Sequence, residues 1–401
     1  MSDDTSLPLG GMSAQTFLRD YWQKKPLLIR GAFPDFESPL SPDELAGLAC
    51  EENVEARLVE VEGPERRWQV SHGPFSETTF ARLGRRDWSL LVQAVDHYVP
   101  EVAELLEHFT FIPRWRLDDI MVSFAPPGGN VGPHVDNYDV FLLQAGGPRR
   151  WQLGGEMSEE APIIDGIDLR ILADFQVEAD QQWRLEPGDM LYLPPRIAHH
   201  GVSESESCMT FSIGFRAPSM DEMITSFADY LGEQLPQSQR YHDPDLSAGD
   251  DPAHIDEQTL ARLRQQMLAT LDDPEQMAQW FGRVMTQLKY PDQLLPPMQA
   301  TDPESLDEAL QEGDCIERAP GSRLAWQRTA AGEATLFVDG DGIGCSEALA
   351  RALCAATPIG PQTAGLEGAS ELLVTLLDRG SLRWVEEDDD FDDGDDGDEQ
   401  E

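Results

Sequence analysis

Residues 120–154, IMVSFAPPGGNVGPHVDNYDVFLLQAGGPRRWQLG, decide how the rest of the chain is read. The stretch divides at its turn residues. IMVSF runs into the Gly/Pro-rich APPGGNVGP, and a second apolar-alternating run, HVDNYDVFLLQ (134–144), opens on His134-Val135-Asp136. A Gly-Gly-Pro turn then leads to RRWQLG, which carries Arg149. Alternation bounded by Gly and Pro signals β-strands. On a strand, residues i and i+2 point the same way, so His134, Asp136 and Tyr138 are expected on one face. An imidazole and a carboxylate facing an apolar interior are costly unless hydrogen-bonded or metal-bound. Two imidazoles and a carboxylate on a β-scaffold suit a non-haem Fe(II) centre with open coordination positions.

The second imidazole must come from a later strand. WRLEPGDMLYLPPRIAHHGVSES (183–205) brings His199 and His200, the first of them 65 positions beyond His134. Neighbours on a strand face opposite sides, so one of the two binds, and alternation leaves both open. With eight histidines and 75 acidic residues in the chain, His-x-Asp alone is a weak signal. A second match, His254-x-Asp256, follows GDDPA and opens the helix DEQTLARLRQQM, where Asp256 reads as an N-cap.

Working outward, residues 110–216 read as short strands: RLDDIMVSF, HVDNYDVFLLQ, RRWQLG, DFQVE, QWRLE, DMLYLPP, HHGVSES and CMTFSIGFRAP. Many short strands with Gly/Pro turns predict a double-sheet jelly roll. Before it, residues 14–31 predict a helix and the short strand PLLIR. Ser41-Pro42-Asp43-Glu44 has capping-box spacing, and 55–60 with 67–71 predict a hairpin. Residues 88–109 carry apolar side chains at helical spacing, broken near Pro100, and nothing there looks catalytic. His72, His97 and His108 read as surface or packing histidines.

After the jelly roll, Ser219 to Glu222 is another capping box opening MITSFADYLGEQL, and two more helices follow. We read this as a helical oligomerisation module giving a homodimer. Beyond the Pro-rich 290–303, two helices and a small hairpin suggest a winged-helix-like unit. DGDGIG (339–344) reads as a turn, because Ala350 stands where a calcium loop needs a bidentate Glu. EEDDDFDDGDDGDEQE (386–401) predicts a disordered acidic tail. The expected division is 1–216, 217–295, 296–385 and 386–401, in an α+β chain.

Composition narrows the partners. The formal charge of −46 over 401 residues argues against direct binding to nucleic acid, which needs Lys and Arg. It suits a basic partner through steering, and equally suits adaptation to a salt-rich host. No apolar run approaches the roughly 20 residues of a membrane span. The N-terminus shows no secretory pattern, and five scattered cysteines without C-x-x-C fit a reducing cytoplasm.

WQKKPLLIRGAF, DDIMVSFAPPGGNVGPHVDNYDVFLLQAGGPRRWQLG, PGDMLYLPPRIAHHG and FSIGFRAP together resemble the bacterial branch of the JmjC-type ribosomal oxygenases, over most of the chain. The resemblance implies a JmjC/cupin jelly roll that binds Fe(II) and 2-oxoglutarate. Its ligand set would be His134, Asp136 and His199, with His200 at a position that is not a ligand. Arg149 and Ser123 match the family's 2-oxoglutarate residues, an arrangement in which a guanidinium fork pairs a carboxylate and a hydroxyl adds a hydrogen bond. Arg150 is expected to face solvent. By alternation Asp119 lies on the face of Ser123, so Asp119 and Tyr138 are assigned to the substrate arginine. The implied reaction is hydroxylation at the β-carbon of an arginine in the basic ribosomal protein L sixteen. The rivals are histidine hydroxylation in another ribosomal protein and a non-enzymatic metal-binding cupin regulator.

Overall fold

Helix starts are written locally. Ser13 caps α1 (Ala14–Asp20) by accepting from the Thr16 amide. Ser41 forms a complete capping box with Glu44 at the head of α2 (Pro42–Leu48), where Pro42 occupies the first turn. Two short helices, α3 (Glu77–Phe80) and α4 (Pro100–Glu104), follow. The computed structural model describes residues 7–63, 67–158, 160–249, 251–330, 332–355 and 358–385. The acidic tail expected at 386–401 lies outside them.

Two antiparallel sheets form the jelly roll. The larger contains β1 (Leu27–Ile29), β2 (Ala56–Glu62), β3 (Arg67–His72), β4 (Trp88–Val92), β5 (Leu117–Ala125), β6 (Val140–Gly146), β9 (Met190–Leu193) and β11 (Cys208–Phe215). Their order is β1-β9-β6-β11-β5-β4-β2-β3. The smaller contains β7 (Arg149–Glu156), β8 (Gln182–Leu185) and β10 (Ile197–Ser203) in the order β10-β7-β8. Between β8 and β9, Asp189 closes the expected turn through its amide to the Glu186 carbonyl at 3.0 Å. Gly188 there has φ +85°, and a Cβ would stand 2.4 Å from the Phe33 carbonyl oxygen, so only glycine fits.

Alternation sorts the large sheet into two compartments. Phe141, Leu143, Tyr192, Phe211 and Ile213 join Phe17 of α1 and Leu45 of α2 in one core. Val140, Leu142, Leu191 and Leu193 face the other way, against Trp151, Leu153 and Leu185 of the small sheet. Ile120 and Val122 of β5 belong to the first core, so Asp119 and Ser123 fall on the side facing the small sheet. That side holds the site.

Ser219 closes its capping box with Glu222 at the start of α5 (Met220–Gln234), and Asp256 caps α6 (Glu257–Leu271). In α7 (Pro274–Thr286), Trp280 packs on Phe227 with ring centroids 5.0 Å apart. The chain separates into two compact units at Phe281 and Gly282, within the helical module expected over 217–295. The second unit holds α8 (Pro303–Glu312), β12 (Ile316–Arg318), β13 (Leu324–Ala330), β14 (Glu333–Val338) and β15 (Asp341–Ser346). It ends with α9 (Glu347–Leu353), α10 (Pro361–Ala364), α11 (Ala369–Asp378) and β16 (Leu382–Trp384). Leu310, Leu336, Leu349, Leu373 and Leu376 are central to its own core.

Four expectations are corrected. Residues 88–92, read at helical spacing, form β4, because WSLLV is paired on both sides by β2 and β5. The run 134–144 becomes a strand only at Val140. His134 makes an isolated bridge, and Asp136 to Asp139 are irregular backbone. DFQVE (174–178) is not a strand. Of 339–344, only Asp339 and Gly340 turn, and Asp341 already begins β15, which pairs with β14.

A candidate metal centre

The Gly/Pro loop between β5 and β6 runs beside β10 as an irregular extra strand. Gly128 donates its amide to the Ser203 carbonyl at 2.9 Å, and Ser203 returns its own to Gly129 at 3.0 Å. Further along, His134 and His199 exchange both backbone hydrogen bonds, at 3.0 and 2.9 Å. This bridge is what brings residues 65 positions apart together. Their rings stand with centroids 4.2 Å apart.

One donor atom from each of His134, Asp136 and His199 lies within 4.8 Å of the others. The Asp136 carboxylate is 3.5 Å from His199 Nε2. Each imidazole has its Nδ1 at a carbonyl, His134 on Gly132 at 3.0 Å and His199 on Ile197 at 2.9 Å. A carbonyl only accepts, so Nδ1 carries the proton and Nε2 keeps its lone pair, as a metal ligand requires. Burial pushes His199 down to about 4, the neighbouring His134 ring acting the same way and Asp136 opposing. The ring is neutral at physiological pH. This donor set fits a divalent transition metal.

His200 is buried but turns away. Its Nε2 lies 3.3 Å from Asn130 Oδ1, which also accepts from the Gly132 amide, so His200 braces the loop. Arg196, at φ +69°, donates its amide to the Asp136 carbonyl at 2.7 Å. Its guanidinium holds the Met157 carbonyl and the Asn137 side chain. One side chain thus ties the Asp136 loop to the end of β7 and the start of β10.

Arg149 is 5% exposed. Its Nε donates to Cys208 Sγ at 3.3 Å, while Nη2 is buried without a hydrogen-bond partner. A buried, half-satisfied guanidinium fits an anionic ligand that completes it. Ser123 is buried, with its hydroxyl 3.5 Å from the Thr210 carbonyl. Arg150 pairs with Glu204 at the surface.

Asp119 is 3% exposed, and both its carboxylate oxygens accept from Gln93 Nε2. Tyr138 is 43% exposed and lies in the loop rather than on a strand face. The charge of Asp136, then burial, then the charges of Asp119 and Asp118 hold its phenol above the ordinary range. Tyr138 therefore shares an electrostatic neighbourhood with Asp136, Asp119 and Asp118.

Gln93, Asp96, Arg196 and Cys208 escaped the sequence reading. A Gln and an Asp inside the apolar run WSLLVQAVD were the available signal. The other expected histidines do not join the centre: His72 pairs with Asp168 at the surface, and His97 lies against Asp96. Asp256 accepts from the Thr259 amide at 2.7 Å, so the second His-x-Asp is a helix cap.

Family models match a JmjC domain over residues 104–223 and a ROXA-like winged helix over 266–383. A model of an AraC-like ligand binding domain matches 175–294, across the end of the jelly roll and the helices after it. The chain is 42% identical over 310 residues to the ribosomal protein uL16 3-hydroxylase of Escherichia coli K12, covering 77% of this chain and 80% of that protein. It is 41% identical over 237 residues to a probable ribosomal oxygenase of Haemophilus influenzae, covering 59% and 55%. The crystal structure of E. coli YcfD superposes with a TM-score of 0.85 at 35% identity, covering 93% of this chain and 98% of that one. YcfD in complex with cobalt and 2-oxoglutarate gives 0.83 at 35% identity, covering 94% and 99%. The jelly roll, the winged-helix region and the extent of this likeness lead to one statement: the chain belongs to the JmjC-type ribosomal oxygenase family.

Proposed function

We propose that the chain is an Fe(II)- and 2-oxoglutarate-dependent protein hydroxylase that hydroxylates the β-carbon of an arginine in ribosomal protein L sixteen (uL16). The observation that carries this reading is the convergence of His134, Asp136 and His199 within 4.8 Å, two imidazoles having their Nε2 lone pairs free. The named activity of the E. coli relative supports the substrate. Bound Fe(II) would supply the activation of O2 that, with oxidative decarboxylation of 2-oxoglutarate to succinate and CO2, leaves an oxidant able to hydroxylate a C–H bond.

The residues supply the rest. His134, Asp136 and His199 would hold the metal from one side and leave positions open. Arg149 Nη2 would pair the distal carboxylate of 2-oxoglutarate, with Ser123 adding a hydroxyl from β5. Asp119 would receive the substrate guanidinium and Tyr138 would pack against the arginine stem, placing its β-carbon. The reading carries a division into 1–216, 217–295 and 296–385 with an acidic tail at 386–401, a cytoplasmic location and a homodimer. Exposed Met220 and Ile224 of α5 with Leu260 and Met267 of α6 support an apolar subunit interface.

Mass spectrometry of uL16 and of the other ribosomal proteins after incubation with enzyme, Fe(II), 2-oxoglutarate and O2 tests the activity. A gain of about 16 Da on an arginine, with succinate formed, is expected. The same gain on a histidine of another ribosomal protein would replace the substrate, and no turnover of 2-oxoglutarate would leave a metal-binding regulator.

A further inference from the structure

The reversal after β4 has a strained backbone: Ala94 sits at φ +52° and ψ +43° and is fully buried. Residues with a Cβ avoid this left-handed conformation, and such outliers persist where surrounding structure enforces them. Here both flanks of Ala94 reach the same place. Gln93 Nε2 donates to Oδ1 and Oδ2 of Asp119 at 3.0 and 2.9 Å. Asp96 Oδ1 accepts the amide of Ile120, the next residue, at 2.7 Å. The side chain of Asp119 and the peptide after it are thus gripped by one turn.

The electrostatics agree with a cation receptor. Asp96 is 7% exposed, with His97 Nε2 3.9 Å from its carboxylate. Burial raises Asp96 to about 6, His97 opposing and the Asp119 charge adding. Two buried carboxylates side by side favour an incoming cation, and a guanidinium can meet both oxygens of Asp119 with its fork.

We propose that Gln93 and Asp96 are positioning residues that hold the Asp119 carboxylate at the angle a substrate guanidinium needs. This rests on the reading of Asp119 as substrate-binding. A guanidinium fork is sensitive to the angle of its carboxylate, and a rotated Asp119 would weaken it.

The test is steady-state hydroxylation of an arginine-containing uL16 peptide by the full chain loaded with Fe(II), with melting curves on each variant. Gln93→Leu is expected to raise peptide KM roughly ten- to a hundredfold, the worth of a hydrogen bond to a charged group. Its kcat and its KM for 2-oxoglutarate stay near wild type, a split that a general folding defect would not give. Asp96→Asn keeps an oxygen for the Ile120 amide and rescues peptide KM relative to Asp96→Leu. Wild-type peptide KM in Gln93→Leu, alongside a raised KM in Asp119→Asn, overturns the proposal and spares the Asp119 reading. Wild-type KM in Asp119→Asn overturns that reading itself. Should Gln93→Leu not fold, the Asp96 pair decides, and equal KM values in Asn and Leu overturn the proposal.

Discussion

Arg149 is the residue whose environment makes least sense without a ligand. Its guanidinium is buried against Cys208 and the Trp151 ring, with Nη2 unpaired. A buried cation without a counter-charge carries a desolvation penalty that offsets the packing of its stem, so replacing it with an apolar side chain of similar length is close to neutral for the fold. Arg149→Met is therefore expected to melt no lower than wild type without ligand. It should lose the rise in Tm that 2-oxoglutarate with Fe(II) gives the wild type. A normal ligand-induced rise would remove Arg149 from the co-substrate site. Asp96 gives a pH prediction. Its folded value of about 6 lies above the ordinary 3.8, so the folded chain keeps this proton longer than the unfolded one. The stability it adds is complete below about pH 4 and is lost as pH rises through 6. Melting scans from pH 4 to 7 should show wild type falling relative to Asp96→Asn, and parallel curves would contradict it. His134, Asp136 and the His199/His200 pair were legible because metal chemistry restricts residue types. Asp96 was not, because its role depends on a strand pairing that residue spacing does not encode.

At the scale of elements, β10 carries the most constraint. It brings His199 to His134, begins beyond the strained Arg196, and lays Gly201 flat on its partner Trp151. A Cβ at Gly201 would meet the indole at 2.6 to 2.8 Å. Trp151 is also a neighbour of the His199 ring, with centroids 5.8 Å apart. Gly201→Ala is expected to cost about 1–3 kcal/mol, as overpacking of a dense core does. It should also weaken metal binding through the displaced indole. Denaturant unfolding and a metal titration check both, and wild-type behaviour in each would contradict the packing account. The jelly roll was legible because Gly/Pro turns punctuate its strands. WSLLV misled because five apolar residues fit a strand and a helix alike, and only pairing with β2 and β5 decides. The expected common strand face of His134, Asp136 and Tyr138 is not what the structure has, although His134 and Asp136 do come close. The backbone bridge joins His134 to His199, and an irregular loop, not a strand face, carries Asp136 and Tyr138.

For the whole molecule, the charge of −46 is the dominant long-range property. If it steers a basic substrate, peptide kcat/KM should fall as salt rises while turnover of saturated enzyme stays level. Insensitivity to ionic strength would leave the acidity to salt adaptation. Light scattering of Ile224→Asp combined with Leu260→Asp is expected to convert a dimer to a monomer. An unchanged mass would place any interface elsewhere. Winged-helix and helical parts were legible as elements, whereas the separation at Phe281 and Gly282 was not, because it falls within the continuous helix α7. The most direct test is an anaerobic Fe(II) titration of wild type, His134→Ala, Asp136→Ala and His199→Ala, followed by O2, 2-oxoglutarate and uL16. One tightly bound iron in wild type, lost in all three variants, with a hydroxylated arginine formed only by wild type, is the predicted result. Iron bound equally by the variants, or hydroxylation that survives them, would contradict the account.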